Sequence, residues 1–168
     1  PGPDEYPSYF ASYVSLVRNR DVPGMLRVQP AALRAGCQAL TDAEALHRYA
    51  PGKWSVKEVI GHITDAERIF AYRLLRIARG YTTPLPSFDE NLYVVNGEFD
   101  RLPLARLVDA FEATRGATIN LIDSIPASAW SRAGTASNAP ITARALLYLI
   151  VGHVEHHLRI LRERYGVG

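Results

Sequence analysis

The sequence predicts an all-α protein, a four-helix bundle with long crossover loops. Apolar residues recur at helical spacing over several stretches of about 15 to 25 residues. A capping box opens the clearest of these stretches. Strand signals are weak by comparison: Asn96-Gly97 follows Tyr93-Val94-Val95, but Glu98-Phe99-Asp100 is a poor partner strand. A chain of 168 residues, 48% hydrophobic and 21% charged, has ordinary globular composition, and its length suits one domain over 1–168.

The first helix is expected over about residues 6–20, with Tyr9, Phe10, Tyr13, Leu16 and Val17 on one side, and Asp21-Val22-Pro23-Gly24 breaks it. A second covers about 25–40, with Leu26, Leu33, Cys37 and Leu40 inward. Pro30 reads as part of a new first turn, because proline inside a helix removes a hydrogen bond. After a connector, Ser55-Val56-Lys57-Glu58 forms the capping box, in which serine and glutamate satisfy each other's orphan backbone donors. The helix it opens runs to about 79 and stops at Gly80. Val59, Ile63, Ala66, Ile69, Phe70 and Leu74 make its stripe, and Arg68, Arg73, Arg76 and Arg79 fall mostly outward.

Residues 81–102 form a connector with Pro84 and Pro86 and a short helix near 90–95. Connectors of that length in a compact domain are often functional. Pro103 sits in the first turn of a fourth long helix reaching about 125, with Leu107, Ala110, Phe111, Thr114, Thr118, Leu121 and Ile122 inward. A loop over 127–141, rich in Ser, Thr, Gly and Ala, leads to the last helix. That helix begins near Thr142 and closes at Tyr165-Gly166, glycine standing where a left-handed cap belongs.

Several function classes drop out. Lys+Arg 19 against Asp+Glu 17 gives a net charge of +2, so no nucleic-acid partner is expected. The longest apolar run, 145–152, stops at His153, well short of a membrane span. The opening PGPDEYPSYF carries acids and prolines where a signal peptide has a basic patch and an apolar stretch. Cys37 is the single cysteine, so no internal disulfide forms, and a cytoplasmic protein is expected. Nothing basic flanks Cys37, which reads as a packing residue rather than a nucleophile.

The histidines are the informative residues. His47 lies in a connector and reads as solvated. His62 falls three residues after Val59 and four before Ala66, on the edge of the inward stripe. His153 and His157 belong to the inward face of the last helix, one turn apart, with Cβ atoms roughly 6 Å apart. Two imidazoles at that spacing can reach one metal ion. On spacing alone, a metal site and a set of hydrogen-bonded packing histidines both fit. His153-Val154-Glu155-His156-His157 is not H-E-x-x-H, since the glutamate is in the third place. A di-iron carboxylate bundle wants Glu-x-x-His on two helices, and only Glu155 and Glu58 are candidates. An all-nitrogen site is what remains.

Trp54-Ser55, Glu58, His62, Asp65 and Glu67 spell W-S-x-x-E-x-x-x-H-x-x-D-x-E, and His153, His156 and His157 spell H-x-x-H-H. In these two blocks, their order and their separation, the sequence resembles the DinB/YfiT-like metalloenzyme superfamily of small bacterial four-helix bundles. The resemblance runs over nearly the whole chain. It implies that His62, His153 and His157 bind one divalent metal (zinc, nickel or iron) and that His156 does not. It also implies a homodimer acting on a small-molecule substrate, by transfer of a low-molecular-weight thiol to an electrophile or a related hydrolytic reaction. Three neutral imidazoles leave an ion with an open position, where it can lower the pKa of bound water to about 7 or ionise a thiol. Many relatives follow the histidine pair with Arg-Gly-Gln, whereas this chain has Leu158-Arg159-Ile160, which leaves the ligands intact without specifying a thiol. Asp65, one turn from His62, suits either an outer contact to the metal site or a solvated face, and Trp54 and Tyr93 are candidates for the pocket wall. The rival expectation is a non-catalytic metal-binding bundle with a stress-response or ligand-sensing role.

Overall fold

The computed structural model describes residues 1–167. Its helices are α1 (Ala11–Ser15), α2 (Val22–Cys37), α3 (Val56–Ala78), α4 (Glu90–Gly97), α5 (Leu104–Asp123) and α6 (Ala143–Tyr165). Two short strands, β1 (Ala133–Ala136) and β2 (Ala139–Thr142), pair antiparallel between α5 and α6. The four long helices form the bundle. α3 packs on α5 and α6, and α2 packs on the same two, so α2 and α3 face each other across the bundle diagonal. α3 and α6, which carry the informative histidines, are direct neighbours.

Local chemistry sets most boundaries. Ser55 accepts from the Glu58 N–H at 3.0 Å, and Glu58 accepts from the Ser55 N–H at 2.8 Å, so the capping box forms in full. Thr142 accepts from the Ala145 N–H at 3.1 Å and starts α6. Gly166, at φ 68°, ends it in the left-handed conformation that costs glycine least.

Four expectations need correction. The 6–20 helix is not continuous: a 3-10 turn at Ser8–Phe10 leads into five-residue α1, with no side-chain cap on either. This segment lies across α6 at Gly152, where a methyl group would overlap the Tyr13 carbonyl oxygen. Packing rather than helix length positions it, with Val14 and Val17 fully buried.

α2 starts at Val22, because Asp21 caps the Gly24 N–H at 3.0 Å and Pro23 fills the first turn. Pro30 therefore lies inside the helix. The carbonyl four residues back, Leu26, loses its helical donor to the proline. The Arg115 guanidinium supplies a replacement at 2.8 Å. Arg115 reaches there through a fully buried network: two bonds to Glu67 at 2.6 and 2.7 Å, and one to Gln29 Oε1 at 2.9 Å. Gln29 in turn donates to the Val151 carbonyl at 3.0 Å. One arginine thus ties α5, α3, α2 and α6 together.

The 127–141 loop contains a hairpin. Ser137 and Asn138 both adopt positive φ, 51° and 62°, the turn whose twist suits a two-residue hairpin. Ser-Asn is a weaker signal than Asn-Gly, and four-residue strands leave little periodicity to read. Leu85 joins the hairpin through its N–H to the Thr135 carbonyl at 2.9 Å and its carbonyl to the Ser137 N–H at 3.0 Å.

Finally, Arg73 is buried, not outward, at 3% exposure. The connector and hairpin fold over that face of α3 and accept from Arg73 Nη2 through the Pro86 carbonyl (2.7 Å) and Ser137 Oγ (2.9 Å). The short α4, the capped α3 and the limits of α5 agree with the expected elements to within two residues.

Candidate metal centre

The α3–α6 contact brings His62, His153 and His157 together. One ring nitrogen from each lies within 4.8 Å of the others, and all three side chains are buried. His62 Nε2 and His153 Nε2 are 3.1 Å apart, close enough to share one proton. His157 Nδ1 is the one fully buried side-chain nitrogen or oxygen without a hydrogen-bond partner among the described residues. Buried polar atoms ordinarily find partners, so an orphaned nitrogen on an imidazole of this cluster leaves the buried donor set incompletely satisfied. The residues present fit a divalent ion: three neutral nitrogen donors on two rigid helices.

Electrostatics keep the donors neutral. Burial pushes His62 down to about 4, helped by the nearby His156. Burial drives His153 and His157 well below the ordinary histidine range, and the neighbouring imidazoles push the same way. A charged imidazole cannot ligate, so these shifts hold the ligand-competent form.

The surrounding wall is aromatic. Trp54 leans on His62 with ring centroids 4.7 Å apart. Tyr13, from the segment pinned at Gly152, meets His153 edge-on at 5.4 Å and His156 at 5.1 Å. Phe70 meets His153 at 5.5 Å from the other side. The three histidines form part of the lining of an open cavity of about 350 Å³, walled also by Tyr9, Phe10, Phe88 and Arg73. That volume admits a small molecule and no more.

The other expected residues fall elsewhere. His156 stays half-buried outside the cluster, and exposed His47 packs edge-on against Tyr165 at 6.1 Å. Asp65 accepts from Arg68 at 2.8 Å and makes no hydrogen bond to the three imidazoles. Glu67 serves the Arg115 network. Tyr93 is exposed against Phe88 in a neighbouring groove, not on this cavity. Cys37 is buried, and its desolvated thiol is pushed up to about 11. Arg73, Phe88, Tyr13 and Ser137 line the cavity without being expected there from the sequence. Arg73 had a signal: it stands three residues past Phe70 and seven past Ala66, on the inward stripe. The other three arrive on segments whose approach has no local signature.

Fold and site together define a helical bundle with a buried three-imidazole cluster opening on a small cavity. Comparison with known proteins agrees with the fold. Residues 25–161 match the DinB superfamily, which is most of the chain. The chain belongs to that superfamily. A protein of Geobacillus thermodenitrificans (strain NG80-2) named "Putative metal-dependent hydrolase" is 26% identical over 151 residues, 84% of this chain and 82% of its own. Among solved structures, YfiT from Bacillus subtilis superposes with a TM-score of 0.77 at 18% identity, over 100% of this chain and 94% of its own. It is described as a probable metal-dependent hydrolase with an unusual four-helix bundle topology. The mycothiol-dependent maleylpyruvate isomerase superposes with a TM-score of 0.70 at 16% identity, over 88% of this chain and 60% of its own.

Proposed function

We propose that this protein is a metal-dependent enzyme acting on a small molecule, with His62, His153 and His157 holding one divalent ion. The observation that carries this reading is the buried three-nitrogen cluster of His62, His153 and His157 at a cavity of about 350 Å³. The reaction proposed is transfer of a low-molecular-weight thiol to an electrophile, or a related hydrolysis. Relatives described as metal-dependent hydrolases and a thiol-dependent isomerase of similar fold support that range.

When bound, the ion supplies Lewis acidity and lowers the pKa of a ligating water or thiol. The chain's own residues do the rest. α3 and α6 hold the three rings in place, and burial keeps them neutral. Trp54, Tyr13 and Phe70 pack the rings and limit water at the cluster.

Elemental analysis of protein purified without a polyhistidine tag tests the assignment. About one divalent ion per chain is expected in the wild type. His62→Ala, His153→Ala and His157→Ala should each strip most of it, because two remaining ligands make a weak site, while His156→Ala should stay near wild type. Equal metal content across all four variants would sink the reading. A loaded protein that binds thiols and electrophiles without converting them would point instead to a sensing role.

A further inference from the structure

Arg73 is 3% exposed, yet no carboxylate of the described residues lies within 4.0 Å of it. Its two hydrogen bonds, to the Pro86 carbonyl and Ser137 Oγ, both use Nη2 and both go to neutral acceptors. Nε and Nη1 have no partner. Neither is sealed, since His157 Nδ1 is the one fully buried orphan, so both keep access to the space the side chain lines. The guanidinium carbon sits 5.9 Å from the Phe70 ring centroid and 5.7 Å from that of Phe88. Burying a cation without a counter-charge is costly, and two neutral acceptors and two aromatic rings offset only part of that cost. By contrast, the other buried guanidinium, Arg115, holds Glu67 in a two-point ion pair. Glu90 also lines the cavity, but it is exposed and no ion pair joins it to Arg73.

We propose that Arg73 is the anion anchor of this cavity, holding the carboxylate of a small aromatic or apolar substrate whose reacting end faces His62, His153 and His157. A planar guanidinium with free donors matches a carboxylate, and the aromatic walls (Phe70, Phe88, Phe10, Tyr13) suit an apolar body. This rests on the metal-enzyme reading of the cavity and adds the substrate class to it.

Benzoate and its neutral isostere benzamide are the probes, titrated by calorimetry or ligand-observed NMR. The wild type should bind benzoate about tenfold more tightly than benzamide, as expected for a charge-assisted bond. Arg73→Gln should abolish that preference, Arg73→Lys should keep part of it, and Arg27→Gln, which removes an exposed charge outside the cavity, should leave it intact. A merely structural Arg73 would lower Tm in its variants without changing the ratio. Should Arg73→Gln fail to fold, the wild type still decides: benzoate, but not benzamide, must raise its Tm. Equal binding of the two probes by the wild type, or an unchanged preference in Arg73→Gln, overturns the anchor. Metal content measured on the same samples separates the two readings. Preference without metal leaves the anchor and removes the metal enzyme, and metal without preference does the reverse.

Discussion

At the scale of single residues, the buried polar groups fall into two sets with opposite logic. Glu67 and Arg115 satisfy each other and reach both Gln29 and the carbonyl that Pro30 releases. Removing one partner leaves a charge buried without its mate, so Glu67→Gln should destabilise the fold by about 3 kcal/mol. A double replacement of Glu67 and Arg115 by apolar residues should recover part of that loss. Urea unfolding checks both, and a Glu67→Gln midpoint equal to wild type would show the pair to be dispensable. The histidines are instead held neutral and under-satisfied. With His62 lowered from 6.5 to about 4, the unfolded chain binds more protons than the folded one between those values. The metal-free protein should therefore keep its full stability above pH 6.5 and lose it as pH falls toward 4, by roughly 3 kcal/mol from His62 alone. His153 and His157 shift in the same direction and add to the loss. Urea midpoints that stay flat across that window would contradict the buried neutral cluster. Either result is readable from the metal-stripped chain.

At the scale of elements, contacts between segments override local preference. Gly152 lies in the middle of α6, where alanine would ordinarily gain about 1 kcal/mol. The Tyr13 carbonyl occupies the space a methyl group needs, so Gly152→Ala should instead destabilise by about 1–3 kcal/mol. It should also loosen Tyr13 from His153. A gain in thermal stability would mean that the N-terminal segment yields easily. The same override explains Pro30, which survives in the middle of α2 because Arg115 of α5 takes over its hydrogen-bonding duty to Leu26. The α3 capping box, the Thr142 cap and Gly166 are legible in the sequence, because their partners lie within five residues.

At the scale of the molecule, the order of helices around the bundle creates the site. Since α2 and α3 stand on the diagonal, α3 is left beside α6, and His62 meets His153 and His157. The family resemblance of the sequence carries the expectation of a homodimer in solution. Sedimentation should give about twice 18.6 kDa, and a concentration-independent mass of 18.6 kDa would remove that expectation.

By itself the sequence determined the helical class, the caps that bound α3 and α6, and the shared face of His153 and His157, one turn apart. Those features depend on hydrogen bonds and side-chain spacings that span no more than five residues, which a linear reading covers. The tertiary structure alone decided which helices are neighbours, that the 133–142 hairpin and the Pro86 connector bury Arg73, and that Arg115 rescues the carbonyl behind Pro30. Those facts join residues 13 to 89 positions apart. Such pairings are chosen by how the helix faces pack against one another, and no local pattern encodes that choice.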